Sequence, residues 1–211
     1  MEINYICSLG PVCHSANIIK DLGLKICSYP FDWIFSNHDL ILECINDKFN
    51  CFLNKSFYCE YIQKWNDRQC GHIKYGLNMF NHKDPRNNDD YNYYIKCVNR
   101  FLNLLDKKEH KLFILTYINI SNIDEEFKKN IIEFNDKFSK YITNHTLLVI
   151  FNIPNKETNF HKFTYNDNIH FLELHTQSQS VGSSFVNDDD NKYLNSIIKE
   201  TYNFNIKKID S

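Results

Sequence analysis

The alternation of short apolar runs with longer amphipathic stripes constrains this chain more than any other feature. Asn4–Ser8, Leu112–Tyr117, Thr146–Ile153 and Ile169–Leu174 are apolar runs of strand length. Helical spacing instead governs Val12, Ala16 and Ile19, and then Leu40, Ile41, Cys44 and Ile45. The same spacing joins Tyr91, Tyr94, Ile95, Val98, Phe101, Leu102 and Leu105 into the clearest helix, and it recurs at Phe127, Ile131, Phe134, Phe138 and Tyr141 and at Tyr193, Leu194, Ile197, Ile198 and Tyr202. Strands that alternate with helices predict an α/β fold: a single three-layer sandwich with a mostly parallel central sheet and helices on both faces. Residues 1–211 read as one domain, with no linker, repeat or low-complexity tail.

Local signals refine this outline. Gly10-Pro11 predicts a helix start with Gly10 as N-cap and Pro11 as the first helical residue, and Gly23 is a natural stop. Ser36 with Asp39 is a capping-box variant, and Asp188-Asp189-Asp190 suits the positive end of the last helix better than it suits a metal. Between Asn50 and Phe80 the pattern is mixed, with β-like runs around Phe57–Ile62 and Ile73–Phe80. His82 to Asp90 then reads as a polar loop.

Composition excludes several classes of function. Charged residues make up 24% and the net charge is −2, with no concentrated basic face for nucleic acid. No apolar run approaches the roughly 18 residues of a membrane span, and the N-terminus lacks the basic-then-apolar order of a secretory signal. A cytoplasmic location is therefore expected. Abundant Asn, Ile, Lys, Tyr and Phe are the residues of AT-rich codons, which points to a large DNA virus or an AT-rich microbe, and in the viral case to the host cytoplasm. The eight cysteines lie between Cys7 and Cys97 without a Cys-x-x-Cys pair, so most read as reduced core thiols. Cys59, Cys70 and His72 lack the paired-ligand knuckle of a zinc site. No metal and no cofactor are expected.

In α/β sheets ligands bind beyond the carboxyl ends of the strands. Cys7-Ser8-Leu9-Gly10-Pro11-Val12-Cys13 leaves the first strand at that edge. With Gly10 as N-cap, Cys13 is the third helical residue, where unpaired N–H groups and the helix dipole favour a thiolate. The same spacing also suits a small residue packed under the turn. Ser8 is an alternative nucleophile, although the acidic residue that usually precedes such a serine is missing. Three histidines are candidate bases. His14 adjoins Cys13 but points about 100° away on a helix, whereas His82 and His175 follow extended segments. Asp32, between Phe31 and Trp33, is costly to bury unpaired and needs a histidine, an arginine or backbone N–H groups.

Ser8-Leu9-Gly10-x-x-Cys13, Gly23-Leu24 and Ser28-x-Pro30-Phe31-Asp32-Trp33-Ile34 together resemble the opening of a family of papain-like cysteine peptidases. That family is otherwise a domain of unknown function found in bacteria and large DNA viruses. The likeness continues through Tyr75-Gly76-Leu77, His82 and Asn99-Arg100-Phe101, and covers about the first 118 residues. It implies Cys13 as nucleophile, His82 as base, Asp32 as orienter and Arg100 as a structural or substrate partner. Two features depart from it. Lys83 separates His82 from Asp84, and the strand–helix order is not that of a papain domain.

The leading expectation is a cysteine-dependent hydrolase or transferase acting on a protein or glycan-linked substrate. Ser8, Gly10, Trp33, Arg100 and His175 are expected to line its cleft. A non-catalytic binding module holding an anion at the helix start and a glycan esterase or acyltransferase are the alternatives. Nothing in the sequence fixes an oligomeric state.

Overall fold

The computed structural model describes residues 1–63, 66–80 and 82–209. In chain order the elements begin with β1 (Glu2–Ile3), β2 (Tyr5–Gly10), α1 (His14–Asp21) and α2 (His38–Asn46). β3 (Tyr58–Gln63), β4 (Asn66–His72) and β5 (Gly76–Phe80) follow, then α3 (Asn88–Asp106), β6 (Lys111–Tyr117) and α4 (Glu125–Phe138). The last part holds β7 (His145–Ile153), β8 (Phe160–Asn166), β9 (Ile169–His175), α5 (Asp188–Thr201) and β10 (Asn203–Phe204).

The largest sheet has the order β2-β6-β7-β9-β8. Its inner strands are buried on both faces, because successive side chains point to opposite sides. Phe113 and Leu115 of β6 join one apolar cluster with Val98 and Phe101 of α3 and Ile131 and Phe134 of α4. Leu112 and Ile114 join the other, with Ile18 and Ile19 of α1 and Leu194, Ile197 and Ile198 of α5. Lys111, fully buried, starts β6 by donating from Nζ to the carbonyls of Lys107, Glu109 and Thr143. Burial lowers its pKa to about 8.

The expected single three-layer sandwich with a mostly parallel sheet needs correction. The strands divide among three sheets of mixed direction. β8 pairs antiparallel with β9 at one edge, and β3, β4 and β5 form a separate antiparallel sheet. The physical reason is connection length: a parallel pair needs a crossover of a dozen or more residues, whereas a hairpin needs two. Asp167 and Asn168 turn β8 into β9, with Asp167 at φ 49°. The β-like runs of residues 57–80 are hairpin strands rather than members of the large sheet.

Candidate active site

β2 ends at Gly10, whose φ of +93° is open to glycine and to few other residues. The Gly10–Pro11 peptide is cis. Gly10 N–H donates to Ser8 Oγ (3.3 Å), and its carbonyl accepts from Ser15 Oγ (2.6 Å). Ser8 is thereby buried inside the turn. The helix starts later than the sequence predicts. Its first residue is His14 and its N-cap is Cys13, in right-handed helical backbone and with no side-chain cap bond. Gly10 is thus the end of the strand, not the cap, and the Cys13 thiol is free of any capping role.

The segment 29–36 is sewn to this turn. Ser36 N–H donates to Pro11 O (3.2 Å) and Ser36 Oγ to Leu9 O (2.7 Å). The same segment is tied to β5 by an antiparallel bridge between Ile34 and Phe80 and by Phe35 N–H to Met79 O (3.1 Å). Two residues beyond Phe80, exposed His82 brings Nε2 to 3.2 Å from Cys13 Sγ. The Trp33 ring stands edge-on to the imidazole at 6.1 Å between centroids. Cys13 and His82, 69 residues apart, therefore meet.

Asp32 is engaged elsewhere. It is fully buried, and Oδ2 forms an ion pair with Lys25 and accepts from Tyr29 N–H (2.9 Å). No hydrogen bond joins it to His82 among the described residues. The partner it needs is a lysine with a backbone N–H, not a histidine or an arginine. Lys25 Nζ also lies 5.4 Å over the Trp33 ring.

The electrostatics oppose a resting thiolate. Burial pushes the Cys13 thiol above its ordinary value, its own backbone N–H pulls it down, and the Asp32 charge pushes it up again. The expected stabilisation of a thiolate by the helix start is outweighed by desolvation. The resting sulfur is a thiol, 3.2 Å from His82 Nε2.

The remaining histidines and Arg100 make other contacts. His14 is buried, with Nδ1 2.9 Å from Ser180 Oγ and its ring edge-on to Phe185, and burial lowers its pKa to about 4. His175 closes β9, stacked on Phe160 at 3.8 Å and 2.7 Å from Glu173 Oε1. Arg100, on α3, lines a depression with Cys27 and Lys208. His72 stacks between Phe57 and Tyr75 and hydrogen-bonds Cys51 O. Among the described residues no cluster of histidines, cysteines and carboxylates is arranged for a metal. No described helix is long and apolar enough to cross a membrane.

Sequence reasoning missed Ser36 and Lys25. The capping signal at Ser36 absorbed its hydroxyl, but Asn37 is the N-cap of α2, accepting from Leu40 N–H (2.9 Å). Lys25 had a signal in the unpaired acid seven residues on.

The turn thus presents a cysteine to a histidine that follows a distant hairpin. The family described as putative papain-like cysteine peptidase matches residues 4–180, and the chain belongs to that family. The match extends well beyond the opening motifs, through β7, β8 and β9. Neither curated proteins nor solved structures gave a match to the chain.

Proposed function

We propose that the chain is a cysteine-dependent hydrolase in which Cys13 is the nucleophile and His82 its general base. The observation that carries this reading is the 3.2 Å separation of Sγ and Nε2. His82 Nε2 takes the thiol proton as sulfur bonds to the substrate's carbonyl carbon, and the carbonyl electron pair moves to oxygen. The first intrahelical bond runs from Asn17 N–H to Cys13 O (3.0 Å). The amides ahead of Asn17 are thus available to an oxyanion. The oxyanion collapses, and the leaving amine or alcohol departs with the proton held by His82. Water then attacks the thioester, giving its proton to His82, and the acid leaves as sulfur regains that proton.

Because burial raises the Cys13 thiol, proton transfer accompanies attack, rather than a preformed ion pair waiting for substrate. Trp33 takes the place of a carboxylate orienter by limiting the rotation of His82.

The test is incubation with a complex peptide mixture and mass spectrometry for new termini. Cleavage by the wild type that is lost in both Cys13→Ala and His82→Ala is expected. Absence of cleavage, together with a Cys13 that iodoacetamide alkylates no faster than Cys70, would remove the thiol reading.

A further inference from the structure

Beside the Cys13–His82 pair lies a depression of about 390 Å³ with Trp33 as one wall and Ile26 and Cys27 in its floor. Trp33 is the same ring that stands against His82, so one residue borders both the depression and the candidate base. A second depression, of about 300 Å³, shares Ile26 and Cys27 with the first and continues to Ile209. Together they make one groove leading away from the pair.

The lining of that groove has one sign of charge. Lys20 and Lys25 line the first part, and Arg100 and Lys208 the second, while no carboxylate is among the described residues that line either. Lys25 is paired with Asp32 beneath it. Lys20, Arg100 and Lys208 have no ion-pair partner among the described residues. A cationic groove on a chain of net charge −2 is a local concentration, not an average property. Its apolar floor offers area as well as charge. The backbone of residues 25–28 adds a third observation: these residues make no backbone–backbone hydrogen bond to another described residue. Free main-chain groups along a groove are what an incoming main chain pairs with.

We infer that this groove binds an acidic segment of a polypeptide and leads it to Cys13. The inference rests on the thiol reading for the chemistry and deepens it by naming the substrate class. A polypeptide is favoured over other polyanions because the groove combines cations with Ile26, Ile209 and Trp33 and with unpaired main-chain groups. A sugar–phosphate chain would use only the cations.

Binding is measured apart from catalysis, on the full chain carrying Cys13→Ala. Two fluorescein-labelled hexapeptides share apolar residues, one with glutamates and the other with lysines at the remaining positions, and fluorescence anisotropy reads their affinities. The glutamate peptide is expected to bind at least roughly tenfold more tightly, as several exposed ion pairs allow, and the preference weakens with added salt. Arg100→Gln with Lys208→Gln should remove most of it. Lys20→Glu, at an exposed position, should diminish it without touching the core. Equal binding of the two peptides, or a preference that survives these substitutions, overturns the inference. Equally tight binding of a poly-dT oligonucleotide overturns the assignment to polypeptide. Peptide binding with an unreactive Cys13 would leave the groove standing while the thiol chemistry falls.

Discussion

Ile34 and Phe80 pair in an antiparallel bridge, and through it the segment that holds the Cys13 turn is joined to the hairpin that delivers His82. The bridge sets Trp33 beside the imidazole, with ring centroids 6.1 Å apart. His82 itself is exposed and has no carboxylate partner for its other nitrogen among the described residues. Among the described residues its ring is held by the Cys13 contact and by the Trp33 edge. Trp33→Ala should lower the rate of substrate cleavage about tenfold, some 1.4 kcal/mol of barrier. Because Trp33 is only half-buried, the thermal midpoint should fall by a few degrees at most. A rate that holds while the midpoint drops would assign Trp33 to packing alone.

The pH dependence of Cys13 alkylation tests whether the resting sulfur is a thiol. Burial holds the thiol above its ordinary value, so the thiolate fraction keeps rising through and beyond the usual thiol midpoint of about 8.5. Iodoacetamide labelling of Cys13 should climb steadily from neutral into alkaline pH. A rate already level from about pH 5 would mean that an imidazolium stabilises the thiolate, contrary to the resting state argued above.

The sequence revealed the two ends of the site better than the frame between them. Local pattern put Cys13 at a helix start and left His14, His82 and His175 open as bases, and the family resemblance singled out His82. The role of Asp32 was not legible. Its need for a partner follows from burial, but only the fold decides that Lys25, seven residues earlier, reaches it. The large sheet was visible because β6, β7 and β9 are apolar on both faces. β8 was invisible for the opposite reason. As an exposed edge strand it carries His161, Lys162, Thr164 and Asn166, which no burial pattern marks as a strand. Of the three antiparallel strands after Asn54, β3 and β5 fall on the β-like runs Phe57–Ile62 and Ile73–Phe80, and β4 (Asn66–His72) carried no such signal.

Gly10 is where a single methyl group should do most damage to the turn. A Cβ there would lie 2.0 Å from Ser36 Oγ, and the backbone is at φ +93°. Gly10→Ala should cost about 2–3 kcal/mol from left-handed strain and displacement of the Ser36 hydroxyl. Adding Ser36→Ala relieves the overlap and leaves the strain, so the double variant should recover part of the loss and no more. Urea unfolding of the two single variants and the double measures this coupling. Full recovery would mean that the backbone angle is unimportant.

Two buried histidines make the fold sensitive to acid. Burial lowers the pKa of both His14 and His145 to about 4, from an ordinary value near 6.5. His14 meets Ser180 through Nδ1, and His145 Nε2 lies 3.1 Å from Asn135 Oδ1 and 2.9 Å from Asn168 Nδ2. Both are neutral in the folded chain over a range in which the unfolded chain already holds the proton. The unfolded state then binds more protons, so stability rises with pH. The contribution is complete above about pH 6.5 and is lost as pH falls through about 4, with roughly 3 kcal/mol at stake for each residue. Unfolding free energy, measured by urea titration at steps between pH 7 and pH 4, should therefore decline across this window. His14→Gln keeps a polar side chain that does not titrate, and should flatten the decline by about half of the two-histidine share while lowering stability at pH 7. An unchanged slope in that variant would mean that His14 takes up its proton without opening the contact with Ser180, and that the acid sensitivity lies with His145 and the carboxylates.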